Sequence, residues 1–138
     1  MLLLGAARAL VDGVHAGVRA RGFTDLRPAH GFAFTLLSTG QATVVDLARH
    51  LDITKQAASQ MVDDLVAKGY VERRPHPTDA RARLILLTDQ GWACTRAAEQ
   101  AAEEVLRPWA EALGRRRLSQ LRADLARIAA PGRLRPLW

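Results

Sequence analysis

Residues 43–74 read TVVDLARHLDITKQAASQMVDDLVAKGYVERR, and the order of caps, apolar steps and glycine in this stretch decides the fold. Thr43 is an N-cap, with Asp46 three residues on to imitate a capping box and to favour the positive end of a helix. Val44, Val45, Leu47, Ala48 and Leu51 supply that helix with a buried side. After a short turn over 50–53, Thr54 caps a further helix in which Ala58, Met61, Val62, Leu65 and Val66 recur at three- and four-residue steps until Gly69 stops it. Two short capped helices joined by a tight turn form a helix-turn-helix.

Downstream of Gly69 the apolar period changes. Residues 70–74 and 83–88 read as two strands, and the proline- and aspartate-bearing segment 75–81 reads as the loop between them, a β-ribbon wing beside the helix pair. From Thr88 or Asp89 a long Ala- and Glu-rich helix runs to about Leu113, with Pro108 a kink near its end and Gly114 a break. A last helix carries Leu118, Leu121, Leu125 and Ile128 as a narrow apolar stripe, and Pro131-Gly132 ends it. Upstream, residues 2–19 have mostly helical spacing although glycines interrupt them, and Pro28 opens a helix bearing Phe32, Phe34, Leu36 and Leu37. The expectation is a mainly α fold with a small β-wing: one domain over 1–138, its winged helix-turn-helix at about 28–88 between terminal helices at about 1–27 and 89–138.

The composition narrows the class. The chain has 138 residues, nearly half of them apolar, enough to bury a core without staples. Its one cysteine, Cys94, has no partner for an internal disulfide, which fits a reducing cytoplasm. Arg8 interrupts the early leucine run, and no apolar stretch approaches the roughly 20 residues of a membrane-spanning helix. The sequence therefore predicts a soluble cytoplasmic protein with no membrane partner. Twenty Lys and Arg against fourteen Asp and Glu give a net charge of +6, which attracts polyanions. No Gly-rich phosphate loop or Gly-x-Ser-x-Gly elbow is present, and His15, His30, His50 and His76 are scattered without ligand spacing, so no enzyme, metal or cofactor is expected.

Gly69-Tyr70-Val71-Glu72-Arg73, then Pro75, Pro77, Asp79-Ala80-Arg81, Leu84 to Leu87, Thr88 and Gly91, resembles the multiple-antibiotic-resistance regulator (MarR) family of winged-helix repressors. The likeness lies in the D-x-R wing tip and the L-T-x-x-G junction, and it extends back through 43–48 and 53–57. The resemblance implies a dimer in which the N-terminal helix and the last two helices of each chain interlock and carry two wings to a pseudo-palindrome. It further implies that Asp79 orients Arg81 through an ion pair and that Arg73 pairs or touches backbone. Release by a small aromatic or phenolic effector is implied too, with His15, His30 and Phe34 as candidate cleft residues. Ordinary packing is the competing account of each.

On the residues themselves, a recognition helix needs polar side chains near its N-terminus, the end that enters the major groove. Thr54, Lys55, Gln56, Ser59 and Gln60 meet this need, with Gln56 and Gln60 one turn apart and each able to address an adenine edge. Asp63 and Asp64 repel DNA and mark where the contact stops. In the wing, Arg81 suits a narrow minor groove, and Arg74 and Arg83 suit phosphates. Thr43 completes the candidate DNA-binding set with Arg73 and Asp79. Two rivals stand beside double-stranded DNA as the target: a winged helix used only to bind protein, and a thiol sensor built on Cys94.

Overall fold

The computed structural model describes residues 1–129. Its elements run α1 (Leu2–Ala20), α2 (Pro28–Leu37), α3 (Val44–Leu51), α4 (Lys55–Ala67), β1 (Val71–Pro75), β2 (Arg83–Leu87), α5 (Asp89–Leu113) and α6 (Arg115–Ile128). Mainly α with a two-stranded antiparallel wing is the fold class that the period changes predict. The described residues divide into two compact units, one built from Met1–Thr24 with residues 97–129, the other from Asp25–Arg96.

The second unit holds the helix-turn-helix. The capping box at α3 is complete: the Asp46 amide donates to Thr43 Oγ1 at 3.2 Å, and the Thr43 amide donates to Asp46 Oδ2 at 2.9 Å. α3 ends on Asp52 at φ 51° and ψ 47°, the left-handed region that aspartate tolerates better than bulkier residues. Two residues on, Thr54 Oγ1 accepts the Ala57 amide at 3.1 Å and starts α4. Leu47, Leu51, Ala58, Val62 and Leu65 from these helices meet Phe34 and Leu37 of α2, Tyr70, and Ile85 of β2 in the core. Val45 departs from expectation and is exposed, because the short α3 buries only its Leu47, Ala48 and Leu51 side.

In the wing, Val71 pairs with Leu87 and Pro75 with Arg83. Tyr70 lies outside the strand; its ring packs against Phe34 with centroids 5.8 Å apart. Ala42, ahead of α3, makes an isolated antiparallel bridge to β2 by exchanging amide hydrogen bonds with Ile85 at 3.2 and 2.8 Å. The junction into α5 explains its own sequence. Thr88 Oγ1 donates to the Gly69 carbonyl at 2.6 Å and accepts the Gly91 amide at 3.2 Å, and a β-carbon at residue 91 would collide with the Tyr70 carbonyl oxygen.

In the first unit, α1 and the later part of α5 approach closely. A β-carbon on Gly17 would stand 2.5 Å from Ala101 and one on Gly13 2.6 Å from Val105, so the glycines that weaken α1 as an isolated helix are what admit its neighbour. Arg21 fastens the pair, donating to the Gly17 carbonyl at 3.0 Å and to Glu104 at 2.6 Å. Pro108 sits inside α5 without ending it. α6 buries none of its residues, and Leu121 and Ile128 are exposed. Pro131, Gly132 and Trp138 lie outside the described residues.

Candidate nucleic-acid interface

Two features of the Asp25–Arg96 unit put polar and cationic groups outward: the first turns of α4 and the tip of the wing. On α4, Lys55, Gln56 and Gln60 are exposed and Ser59 is half-buried, while Ala58, Val62 and Leu65 hold the opposite side in the core. Gln56 and Gln60 stand one above the other on the helix surface, as do Lys55 and Ser59. None of these four side chains has a hydrogen bond or ion pair among the described residues. The adjoining helix start adds unsatisfied backbone N–H groups and the positive end of the helix dipole.

Thr43 and Thr54 play a different part from Lys55 and the glutamines. Thr43 Oγ1 accepts the Asp46 amide and donates to Asp46 Oδ2 at 2.6 Å, so its hydrogen is committed inside the protein. Hydrogen bonds from Thr43, ahead of the nearby Arg49 and His76, hold the Asp46 carboxyl below the usual carboxylate range. Thr54 spends a lone pair on the cap and stays exposed.

The arginines sort into committed and free. Arg73 Nη2 lies 2.5 Å from Asp63 Oδ1, which ties β1 to α4, and Arg74 Nη2 lies 2.5 Å from Glu72. Arg83 Nη1 donates to the carbonyls of Ala80 and Ala82 at 3.4 and 3.2 Å, bracing the turn from below. Asp79 Oδ1 accepts the Arg81 backbone amide at 2.9 Å, and this turn contact stands where an ion pair with the Arg81 guanidinium was expected. The reason is local: aspartate reaches the amide two residues on more readily than a flexible side chain beyond it. The Arg81 guanidinium is left exposed and uncommitted among the described residues.

Behind α4 lies a polar network that the sequence reading did not anticipate. Tyr70 Oη donates to Asp25 Oδ1 at 2.7 Å, and Lys68 Nζ reaches both the Asp25 carbonyl and Asp64 Oδ2 at 2.7 Å. Asp64 Oδ2 also lies 3.5 Å from His30 Nε2, and His30 Nδ1 accepts the Arg27 amide at 3.2 Å. Burial, then Arg27 and Lys68, pulls the His30 imidazole down to about 4, so it is neutral at physiological pH. The hydrogen bond from Lys68 keeps Asp64 ionised below its ordinary range. Burial and then the Asp25 contact push the Tyr70 phenol up to about 12. Asp63 and Asp64 are thus each ion-paired, with Arg73 and Lys68 respectively. No sequence motif signals the links from Asp25 to Lys68 and Tyr70, which span 43 and 45 positions.

The candidate effector residues fall in both units. His30 and Phe34 are core residues of the Asp25–Arg96 unit, and His15 is half-buried on α1 in the other. Cys94 is 2% exposed, and burial pushes its thiol up to about 11, the opposite of what a reactive thiolate needs. Among the described residues no group of three or more His, Cys, Asp or Glu is placed to hold a metal ion, and no helix is long and apolar enough to cross a membrane. Trp92 is exposed and Trp109 half-buried, neither beside the polar face of α4 in sequence.

Comparison with known proteins agrees with this arrangement. A MarR family model matches residues 22–82. The chain is 45% identical over 51 residues to the multiple antibiotic resistance protein MarR of Escherichia coli (strain K12), a match covering 37% of this chain and 35% of that protein. It is 31% identical over 96 residues to an HTH-type transcriptional regulator of Mycobacterium tuberculosis (strain CDC 1551 / Oshkosh), covering 70% of this chain and 64% of that one. These matches thus span less than two thirds of either relative's length. Among solved structures, the transcriptional repressor CouR bound to a 23-mer DNA duplex matches with a TM-score of 0.76 and 27% identity, covering 94% of this chain and 90% of that one.

Proposed function

Because this chain belongs to the MarR family, we propose that it is a transcriptional regulator that binds double-stranded operator DNA as a symmetric homodimer. In this reading the start of α4 enters the major groove. Gln56 and Gln60 address adenine edges, Lys55 reaches guanine or a phosphate, and Thr54 and Ser59 donate to base edge or backbone. The wing follows the adjacent minor groove with Arg81 inserted, and Arg83 and Arg74 lie along the phosphates. Arg73 and Asp79 act inside the protein, fixing the wing to α4 and shaping its tip. Repression follows from occupying a promoter-proximal operator, and a small aromatic or phenolic effector releases it.

The observation that supports this reading most is the contrast among the cations. Arg73 and Lys68 are consumed by acidic partners, whereas Lys55 and Arg81 project unpaired from the two features a duplex would meet. Dimer formation is supported by apolar surface that one chain leaves bare: Leu2 is 92% and Ile128 77% exposed, on helices at either end of the described chain.

Fluorescence anisotropy with a duplex tests the proposal. Each phosphate neutralised adds about 0.9 to the slope of log affinity against log salt, so Arg81→Ala, acting in two wings, should flatten that slope by about 1.8. It should weaken all duplexes alike, whereas Gln56→Ala should cost about 1–3 kcal/mol on the preferred sequence only. A complex indifferent to salt, or an Arg81→Ala protein that keeps the full slope, would refute it.

A further inference from the structure

The wing loop contains a histidine that neither the helix-turn-helix motif nor the DNA contacts account for. His76 Nδ1 accepts the Asp79 amide at 3.1 Å and lies 3.3 Å from both the amide and the hydroxyl of Thr78. Accepting from backbone amides requires a lone pair on Nδ1, so the neutral ring carries its proton on Nε2. The contacts then continue along the turn. Asp79 Oδ1 takes the Arg81 amide, the Asp79 carbonyl takes the Ala82 amide at 3.1 Å, and Arg83 closes the far side. His76 thus opens a run of local bonds that ends by presenting the free guanidinium of Arg81.

We propose that His76 is a positioning residue for DNA binding: its unprotonated Nδ1 gathers the Thr78 and Asp79 amides and sets the turn from which Arg81 projects. The inference rests on the proposed insertion of the wing into a groove. Protonating Nδ1 would replace an acceptor by a donor facing two N–H groups, so the turn must open or rotate the ring away. Two carboxylates belong to the surroundings of the turn: that of Asp46 at the start of α3, within electrostatic reach of the imidazole, and that of Asp79, whose amide donates to Nδ1. The first is engaged by Thr43 and the second by the Arg81 amide.

The test compares wild type with His76→Ala and His76→Asn, since the asparagine amide oxygen offers an acceptor near the place of Nδ1 yet takes up no proton. Duplex affinity is measured at about pH 7.5 and about pH 5.5, at one salt concentration, across the range in which histidine titrates. Exchange of the Thr78 and Asp79 amides and the imidazole nitrogen shifts are followed by NMR without DNA. Alanine should weaken binding by roughly two- to tenfold, the effect of one net hydrogen bond, and asparagine should restore it to within about twofold. Acid should lower wild-type affinity relative to His76→Asn, and the two amides should exchange faster in His76→Ala. Equal affinities for wild type and His76→Ala, or unchanged amide exchange, would overturn the proposal. Were no duplex bound by any of the three, the DNA reading would fall, while unequal exchange at Thr78 and Asp79 would still uphold the role of His76 in shaping the turn.

Discussion

Lowering the pH should destabilise this protein through His30 well before its carboxylates titrate. The imidazole is fully buried beside Arg27 and Lys68 and is held down to about 4 from an ordinary value of 6.5. The unfolded chain takes up the proton near 6.5 while the folded one resists it. The associated stability is therefore complete above pH 6.5 and drains away as pH falls towards 4. The slope is at most about 1.4 kcal/mol per pH unit, and the whole loss is about 3 kcal/mol, a large share of the roughly 5–15 kcal/mol that holds a domain together. Urea unfolding at a fixed protein concentration, from about pH 7.5 down to about pH 4.5, measures it against His30→Asn, whose side-chain oxygen keeps an acceptor for the Arg27 amide. Wild type starts more stable, since the variant loses packing, and the gap should narrow steadily on acidification. Parallel curves over that range would refute the argument that His30 is buried neutral.

Other consequences follow from the same packing. Asp63→Asn removes the partner of Arg73 and a negative charge beside the proposed duplex face, so DNA should bind several-fold tighter at low salt; the exposed ion pair itself contributes about 0–1 kcal/mol to stability, measured by urea unfolding. Gly91→Ala drives a β-carbon into the Tyr70 carbonyl and against Leu87, and should cost about 1–3 kcal/mol, read as a lower unfolding midpoint. Cys94 in the folded protein should react with iodoacetamide far more slowly than in urea, and equal rates would contradict its burial.

The parts of the fold legible in the sequence are those fixed by neighbours along the chain. Thr43 with Asp46, Thr54 with Ala57, and Gly69 after α4 each act within a few residues, so caps and boundaries follow from residue type. The strands of the wing were legible for the same reason, since Pro75 and Asp79 punctuate them. Contacts across the chain were not. The link from Asp25 to Lys68 and Tyr70, and the bridge from Ala42 to Ile85, leave no periodic trace, because one hydrogen bond asks only for a polar atom at the right place. Val45 misled because a valine beside buried residues reads as core, while only an eight-residue helix's geometry shows it to face away. At the candidate site, residue types located α4 and the wing. Which acid an arginine pairs with depends on reach and angle, so the Arg73–Asp63 pair and the backbone contact that replaces an Asp79–Arg81 pair appear only in the folded chain.

The most direct measurement is selection of bound duplexes from a random pool at about 50 mM salt, followed by hydroxyl-radical footprinting of the enriched sequence. A two-fold symmetric site should emerge, with half-sites about one helical turn apart and with minor-groove protection that Arg81→Ala removes. A folded protein that retains no duplex under those conditions, or one whose footprint is untouched by changes at Lys55, Gln56 and Arg81, would contradict the account.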